Sequence, residues 1–378
     1  MKIGILTLPL HTNYGGVLQA YALQYSLRCM GHEAYLIDCR FDPKYANYIK
    51  YPIAGMLKIV SNMLPPLRGR LAPLERQMRA DKVVIRQHTE AFIRRHIPLR
   101  HYFCYNLISK RDFEAIVVGS DQVWRPDYFP RIEMAYLDFA SGWNIRRIAY
   151  AASFGVDRWE YNQNQTEKCR ELVSLFDALS LRERSGVELC HSELLCEACE
   201  VLDPTLLLSK QEYMSLVAEQ TTVQKKEGGM LVSLLDNDLD KLSLVEAISQ
   251  RYSTTPFFVN SRVEDRTAPL EERVQPPVEE WLQGFDDADY VVTDSYHASI
   301  FAIIFNKPFV VYGNKDRGYA RFISLLSKLG LESQFVLSSS QINLAGCFQI
   351  DWQSVNNRLQ ELRKESLDFL ESAINPLN

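Results

Sequence analysis

The sequence predicts an α/β protein of two Rossmann-like domains facing a cleft, each built on a parallel sheet. Three observations carry this expectation. Short apolar runs alternate with longer segments of helical periodicity along most of the 378 residues. After Asp203-Pro204 the alternation restarts, as at a hinge between two arrays. The apolar runs also end in polar or glycine-containing crossings before the next helix, which is the local pattern of a βα unit.

Taken in order, residues 2–8 (KIGILTL) read as the first strand, and a polar glycine turn leads to a helix from about Val17 to Met30, stopped by Gly31. EAYLID (33–38) is the next strand. Residues 40–73 lack a strand pattern and are broken by prolines, so they read as an excursion or lid, followed by an amphipathic helix from Leu74 to Arg95. Strands follow at 115–119, 146–153, 178–182 and 200–203, with a helix near 166–177. Beyond the hinge, strands are expected at 230–236, 256–260, 290–293 and 308–312. Helices are expected from 209, up to 251, at 278–285 and from 296. The expected division is an N-terminal domain over 1–205 with a basic excursion at about 40–100, and a C-terminal domain over 206–350. A last helix within 351–378 is expected to pack back on the first domain.

Composition is that of an ordinary globular protein, 47% hydrophobic and 24% charged, and a net charge of −5 argues against general nucleic-acid binding. The charge is uneven. From Lys50 to Arg100, eleven Lys/Arg stand against Glu75, Asp81 and Glu90. Within that stretch MLKIVSNMLPPLRGRL (56–71) has apolar residues at helical spacing with basic flanks. It fits either a core-facing helix with a solvated basic face or an interfacial segment on an anionic membrane. Eight irregularly spaced cysteines, no recognisable signal peptide and no membrane-spanning apolar run point to a reduced, cytoplasmic protein. Cys190, Cys196 and Cys199 with His191 do not make a common zinc spacing. ELCHSELLCEAC reads as one helix on which position 190 does not share a face with 196 and 199, so no metal is expected.

The most informative stretch is YVVTDSYHASIFAIIF (290–305). A strand ends in Thr293-Asp294-Ser295, and His297 opens an apolar helix that ends before Pro308. In an open α/β sheet, ligands collect at strand carboxyl ends beside helix N-termini. An imidazole there is placed for proton transfer, with Asp294 and Ser295 as polar neighbours, whereas the plain alternative is a histidine that packs at a helix start. After the first strand, Asn13, Gly15 and Gly16 would let the backbone approach a bound group, although paired glycines also serve turn geometry alone. In VVGSDQVWRP (117–126), Ser120 and Asp121 offer hydrogen bonds and Trp124 a flat face for a sugar ring, or simply a cap and an anchor. Arg182 leaves a strand end and suits a carboxylate or phosphate, while Lys315, Arg317 and Arg321 form an anion-facing or merely solvated basic loop.

NYGGVLQAYALQ, VVGSDQVWRP, YAASFG, SLRERSG, VLDPTLLL, TDSYHASIFAIIF and the basic segment ending SLLSKLGL occur in this order from Ile3 to Leu331. Together they resemble the polysaccharide pyruvyl transferase family. The resemblance implies a fold like that of GT-B glycosyltransferases. It implies transfer of a pyruvyl group from phosphoenolpyruvate to two hydroxyls of a sugar in an exopolysaccharide or capsule precursor, forming a cyclic ketal. It implies neither a metal nor an organic cofactor. His297 would be the general acid and Arg182 the donor-binding arginine. Family members can carry an arginine two positions before the histidine, where this chain has Ser295, so Lys315, Arg317 or Arg321 would supply the missing charge. A lipid-linked acceptor would give residues 50–100 a role in peripheral contact with the inner face of the membrane. The alternatives are a nucleotide-sugar glycosyltransferase on the same architecture and a non-catalytic sugar-binding relative.

Overall fold

The computed structural model describes residues 1–39, 65–220, 223, 225, 228–236, 238–263, 265–313, 318–346 and 348–375. Among them the strands form two sheets, parallel throughout. The first contains β1 (Lys2–Leu6), β2 (Glu33–Cys39), β3 (Leu99–Tyr102), β4 (Ala115–Val118), β5 (Arg146–Ala152), β6 (Ala178–Leu181) and β7 (Cys199–Glu200), in the order β3-β2-β1-β4-β5-β6-β7. The second contains β8 (Met230–Ser233), β9 (Pro256–Phe257), β10 (Tyr290–Thr293), β11 (Phe309–Tyr312) and β12 (Phe335–Val336), in the order β12-β11-β10-β8-β9. Central strands such as β4 are buried along their whole length, as expected when helices cover both faces of a parallel sheet.

The helices are α1 (Tyr14–Cys29), α2 (Pro65–His96), α3 (Ile132–Ala135), α4 (Gln163–Val173), α5 (Arg184–Leu189), α6 (Lys210–Ala218), α7 (Leu239–Tyr252), α8 (Leu270–Arg273), α9 (Val278–Asp287), α10 (Tyr296–Ile304), α11 (Ala320–Leu329) and α12 (Trp352–Ile374). Four local expectations change. α1 begins three residues before Val17, because the Asn13 side chain accepts from Gly16 N–H and caps it, so the two glycines lie inside its first turn. α2 begins at Pro65, a residue suited to a first helical turn, rather than at Leu74. The cysteine segment is not one helix: α5 passes into a single π turn at Cys190–Leu194, and Leu195 turns left-handed at φ 56°. β3 and β12 were not anticipated, being short edge strands with little apolar pattern. Residues 40–64 of the expected 40–73 excursion, with Lys50 and Lys58 of the basic run, lie outside the described residues, and residues 65–73 belong to α2. No helix among the described residues is long and apolar enough to cross a membrane.

Both sheets reverse their winding at the cleft. In the first, the chain leaves β1 for β2 on one side and returns to β4 on the other; in the second, β8 has β9 on one side and β10 on the other. Such switch points open a crevice at the strand carboxyl ends. The two lobes are also tied together. Tyr14 O–H donates to Pro276 O at 2.7 Å, Gln275 Nε2 to Thr12 O at 3.1 Å, and Arg184 N–H to Ser324 Oγ at 2.9 Å. Lys328 pairs with Glu200 at 3.1 Å. α12 lies on the first sheet: Arg146 Nε donates to Ala373 O at 2.9 Å, Leu202 N–H to Ser366 Oγ at 3.0 Å, and Arg363 Nε to Leu206 O at 2.8 Å.

Candidate active site

A cleft of about 640 Å³ opens between the two lobes. Residues 8–16 after β1 and Asp121, Gln122 and Tyr128 after β4 line one side. Residues 233–235 at the end of β8, Asn260 and Ser261 after β9, and residues 294–297 after β10 line the other.

His297 sits in the first turn of α10, whose nine residues are all buried. A helix that is apolar all round must lie in the core, and here the polar end alone reaches the cleft. Ser295 caps it, its Oγ accepting from Ala298 N–H at 3.5 Å. The imidazole is 9% exposed, and Nε2 lies 3.7 Å from Asp203 Oδ2. Nδ1 faces Gly15, where a Cβ would come within 2.1 Å of it. Only glycine lets the first turn of α1 approach the ring this closely.

Asp203 is the centre of the buried polar layer and is 1% exposed. Its Oδ2 accepts from Arg182 Nη1 at 2.8 Å and Ser120 Oγ at 3.0 Å. Its Oδ1 accepts from Thr205 N–H at 3.0 Å and Thr205 Oγ1 at 2.6 Å. Burial alone would raise the carboxyl; the His297 contact, the Arg182 charge and the Thr205 bond overcome it and hold Asp203 well below the usual carboxylate range. The residue read as part of a hinge is thus buried and held by four hydrogen bonds. Pro204 begins a short 3₁₀ turn, Pro204–Leu207, that Asp203 caps, and all of its residues are buried. The sequence signal for it was the Asp-Pro pair, which serves a capped turn as well as a hinge.

The structure brings Asn13, Gly15, Gly16, Asp121, Asp294, Ser295, His297 and Arg321 to the cleft lining. Asp294 contributes little there. Its Oδ2 accepts from Lys241 at 2.7 Å and its Oδ1 from Leu235 N–H at 2.8 Å, so it fixes the β8 and β10 loops together. Lys241 also pairs with Asp236, and these bonds outweigh burial and hold its ammonium protonated. Asp121 adopts φ 68°, a costly conformation that places its carboxylate 3.6 Å from Arg182 Nη2.

Three expected site residues lie elsewhere. Trp124 is wholly buried, stacked on Tyr136 at 4.6 Å with its N–H donating to Ala135 O, so it offers no face to a sugar. Its indole follows an apolar β4 into the core, where an amphipathic ring gains most by burial. Ser120 is also buried and serves Asp203. The Arg182 side chain has no exposed surface and lies beneath the cleft floor, paired with Asp203. Lys315 and Arg317 lie outside the described residues.

Arg321, at the start of α11, is the described basic residue of that segment that reaches the cleft. Both Arg182 and Arg321 stand over the Tyr296 ring, with guanidinium carbons 4.7 and 5.3 Å from its centroid. Burial and the nearby Arg182 charge lower the Arg321 pKa, so a negative group beside Arg321 is electrostatically favoured. Tyr296 was missed in the sequence because an aromatic residue at a helix start reads as core. Among the described residues no group of three His, Cys, Asp or Glu side chains is arranged to hold a metal, the cysteine segment included.

The sequence model of polysaccharide pyruvyl transferase matches residues 13–316. The chain belongs to the polysaccharide pyruvyl transferase family. No curated protein sequence matches it. Among solved structures, Arabidopsis thaliana UGT89C1 complexed with UDP-L-rhamnose is similar at a TM-score of 0.50 with 10% identity, covering 99% of each chain. The UDP-GlcNAc 2-epimerase from Neisseria meningitidis gives a TM-score of 0.48 with 9% identity, covering 99% of this chain and 94% of its own. At such identities the likeness concerns the fold alone, which is that of GT-B glycosyltransferases, as the family resemblance implied.

Proposed function

We propose that the chain transfers the pyruvyl group of phosphoenolpyruvate to two hydroxyls of one sugar unit in a polysaccharide precursor, forming a ketal and releasing phosphate. The observation that carries this reading is His297 at the cleft floor of a family member, with Nε2 directed at the ionised Asp203 and Nδ1 turned toward the glycine turn.

The chemistry follows from those positions. The enol carbon–carbon bond of the donor takes a proton at its methylene, and an acceptor hydroxyl attacks the adjacent carbon and returns its own proton to the group that gave the first. The second hydroxyl then displaces phosphate from that carbon, and its proton leaves with the phosphate. His297 supplies the first proton while Asp203, 3.7 Å from Nε2, orients the ring. Arg321 and the N-terminal ends of α1 and α10 bind the donor's carboxylate and phosphate, in place of an arginine at position 295. The proposed reaction calls for a proton donor and an anion clamp rather than a metal or organic cofactor. A lipid-linked acceptor at the cytoplasmic face of a membrane would account for the basic run from Lys50 to Arg100.

Thermal unfolding with phosphoenolpyruvate, and separately with nucleotide-sugars, tests the donor. A ligand at 100 times its Kd stabilises the native state by about 2.7 kcal/mol. Stabilisation by phosphoenolpyruvate is expected, whereas stabilisation by a nucleotide-sugar alone would make the chain a glycosyltransferase. Arg321→Ala is expected to weaken phosphoenolpyruvate binding by about 1.5–3 kcal/mol, the scale of hydrogen bonds to charged groups, and calorimetric titration checks it. His297→Ala should slow phosphate release in the presence of acceptor by roughly 10²-fold or more while the protein stays folded. Near-normal turnover would take the histidine out of the mechanism.

A further inference from the structure

Tyr128 lines the same cleft as His297 but takes no part in proton transfer, and it is 50% exposed. Single exposed aromatic residues are ordinary on a protein surface. This one is braced. Its N–H donates to Arg125 O at 3.0 Å, and that of Phe129 to the same oxygen at 2.8 Å, while Phe129 is buried against Tyr105. The turn is thus pinned to the core on one side.

The ring itself is held by a charge. The Arg125 guanidinium carbon lies 5.2 Å from the Tyr128 ring centroid. Arg125 is only 6% exposed, and its own geometry is set by Nε donating to Glu160 at 3.1 Å and Nη1 to Gln122 Oε1 at 3.1 Å. One face of the phenol ring is covered by this guanidinium, and half of the residue's surface stays open. A rigid aromatic face of this kind presents contact area at little cost in conformational freedom. Gln122 on the same lobe and Asn260 on the other also line the cleft, and their amides can both donate and accept hydrogen bonds. An apolar ring face flanked by amides matches a pyranose, whose C–H face is apolar and whose hydroxyls lie around its edge.

We propose that Tyr128 is the stacking platform of the acceptor subsite: a pyranose lies on its ring, with hydroxyls held by Gln122 and Asn260 and the reacting pair directed to the cleft floor. The word acceptor rests on the pyruvyl-transfer reading; the sugar-binding claim does not.

The test is ligand-observed NMR titration of the full chain with methyl β-D-galactopyranoside, methyl β-D-glucopyranoside and methyl α-D-mannopyranoside, using the unaltered protein, Tyr128→Ala and Tyr128→Trp. At least one glycoside is expected to bind the unaltered protein. Tyr128→Ala should weaken that binding roughly tenfold, Tyr128→Trp should keep it, and the affinity for phosphoenolpyruvate should be the same in all three. Equal glycoside binding by Tyr128→Ala would overturn the platform, as would failure of all three glycosides to bind the unaltered protein. Loss of glycoside binding in Tyr128→Ala, with no phosphoenolpyruvate binding in any form, would keep the platform and remove the pyruvyl-transfer reading.

Discussion

Asp203→Asn is expected to cost about 3–5 kcal/mol of stability, the usual result of removing one partner from a buried ion pair. The change keeps the shape of the side chain but leaves the Arg182 guanidinium, with no exposed surface, facing a neutral amide. It also turns a donor toward Ser120 Oγ or Thr205, which now donate to the carboxylate. Urea unfolding of both proteins measures the difference, and a loss below about 1 kcal/mol would mean that Asp121 and Glu183 already satisfy Arg182. The pH dependence has a definite sign. Asp203 is held well below its unfolded value of about 3.9, so its contribution is complete above that value. It is lost as pH falls toward the folded value. The unaltered protein should therefore lose stability below about pH 4 more steeply than Asp203→Asn.

Gly15→Ala should abolish most activity without touching a titratable group. The added Cβ would lie 2.1 Å from His297 Nδ1 and 2.2 Å from its Cγ, so the imidazole must leave its position. Gly16→Ala, one residue on, meets nothing closer than 3.7 Å and should leave the fold unchanged. The expected loss for Gly15→Ala is roughly 10²-fold or more in turnover, matching His297→Ala, with a stability cost of about 1–3 kcal/mol from overpacking. Because both changes act on one imidazole, the double variant should be no slower than either single one. Additive losses would show that Gly15 acts on the substrate and not through the ring.

The local alternation of apolar runs and helical periods was enough to read most of the strands, both sheets as parallel, and the position of His297 at a helix start behind a strand. Those features depend on residues close in the chain, where periodicity and turn chemistry speak directly. Asn13 and Gly15 were legible for the same reason, although their exact place was not: the Asn13 cap draws the glycines into the helix. Only the tertiary structure decided what each polar strand end does. Asp203 meets Ser120 across 83 residues and Arg182 across 21, and no local pattern distinguishes that carboxylate from a hinge residue. Arg182 and Ser120 stand at strand ends as a ligand site requires, yet the docking of the second lobe and the order of β4, β5 and β6 seal them beneath it. Trp124 and Tyr128 are four residues apart in one loop, and packing sends the larger ring into the core and leaves the smaller one facing the cleft. Sequence spacing places a group at the end of a strand; which neighbour covers it is a property of the assembled layers.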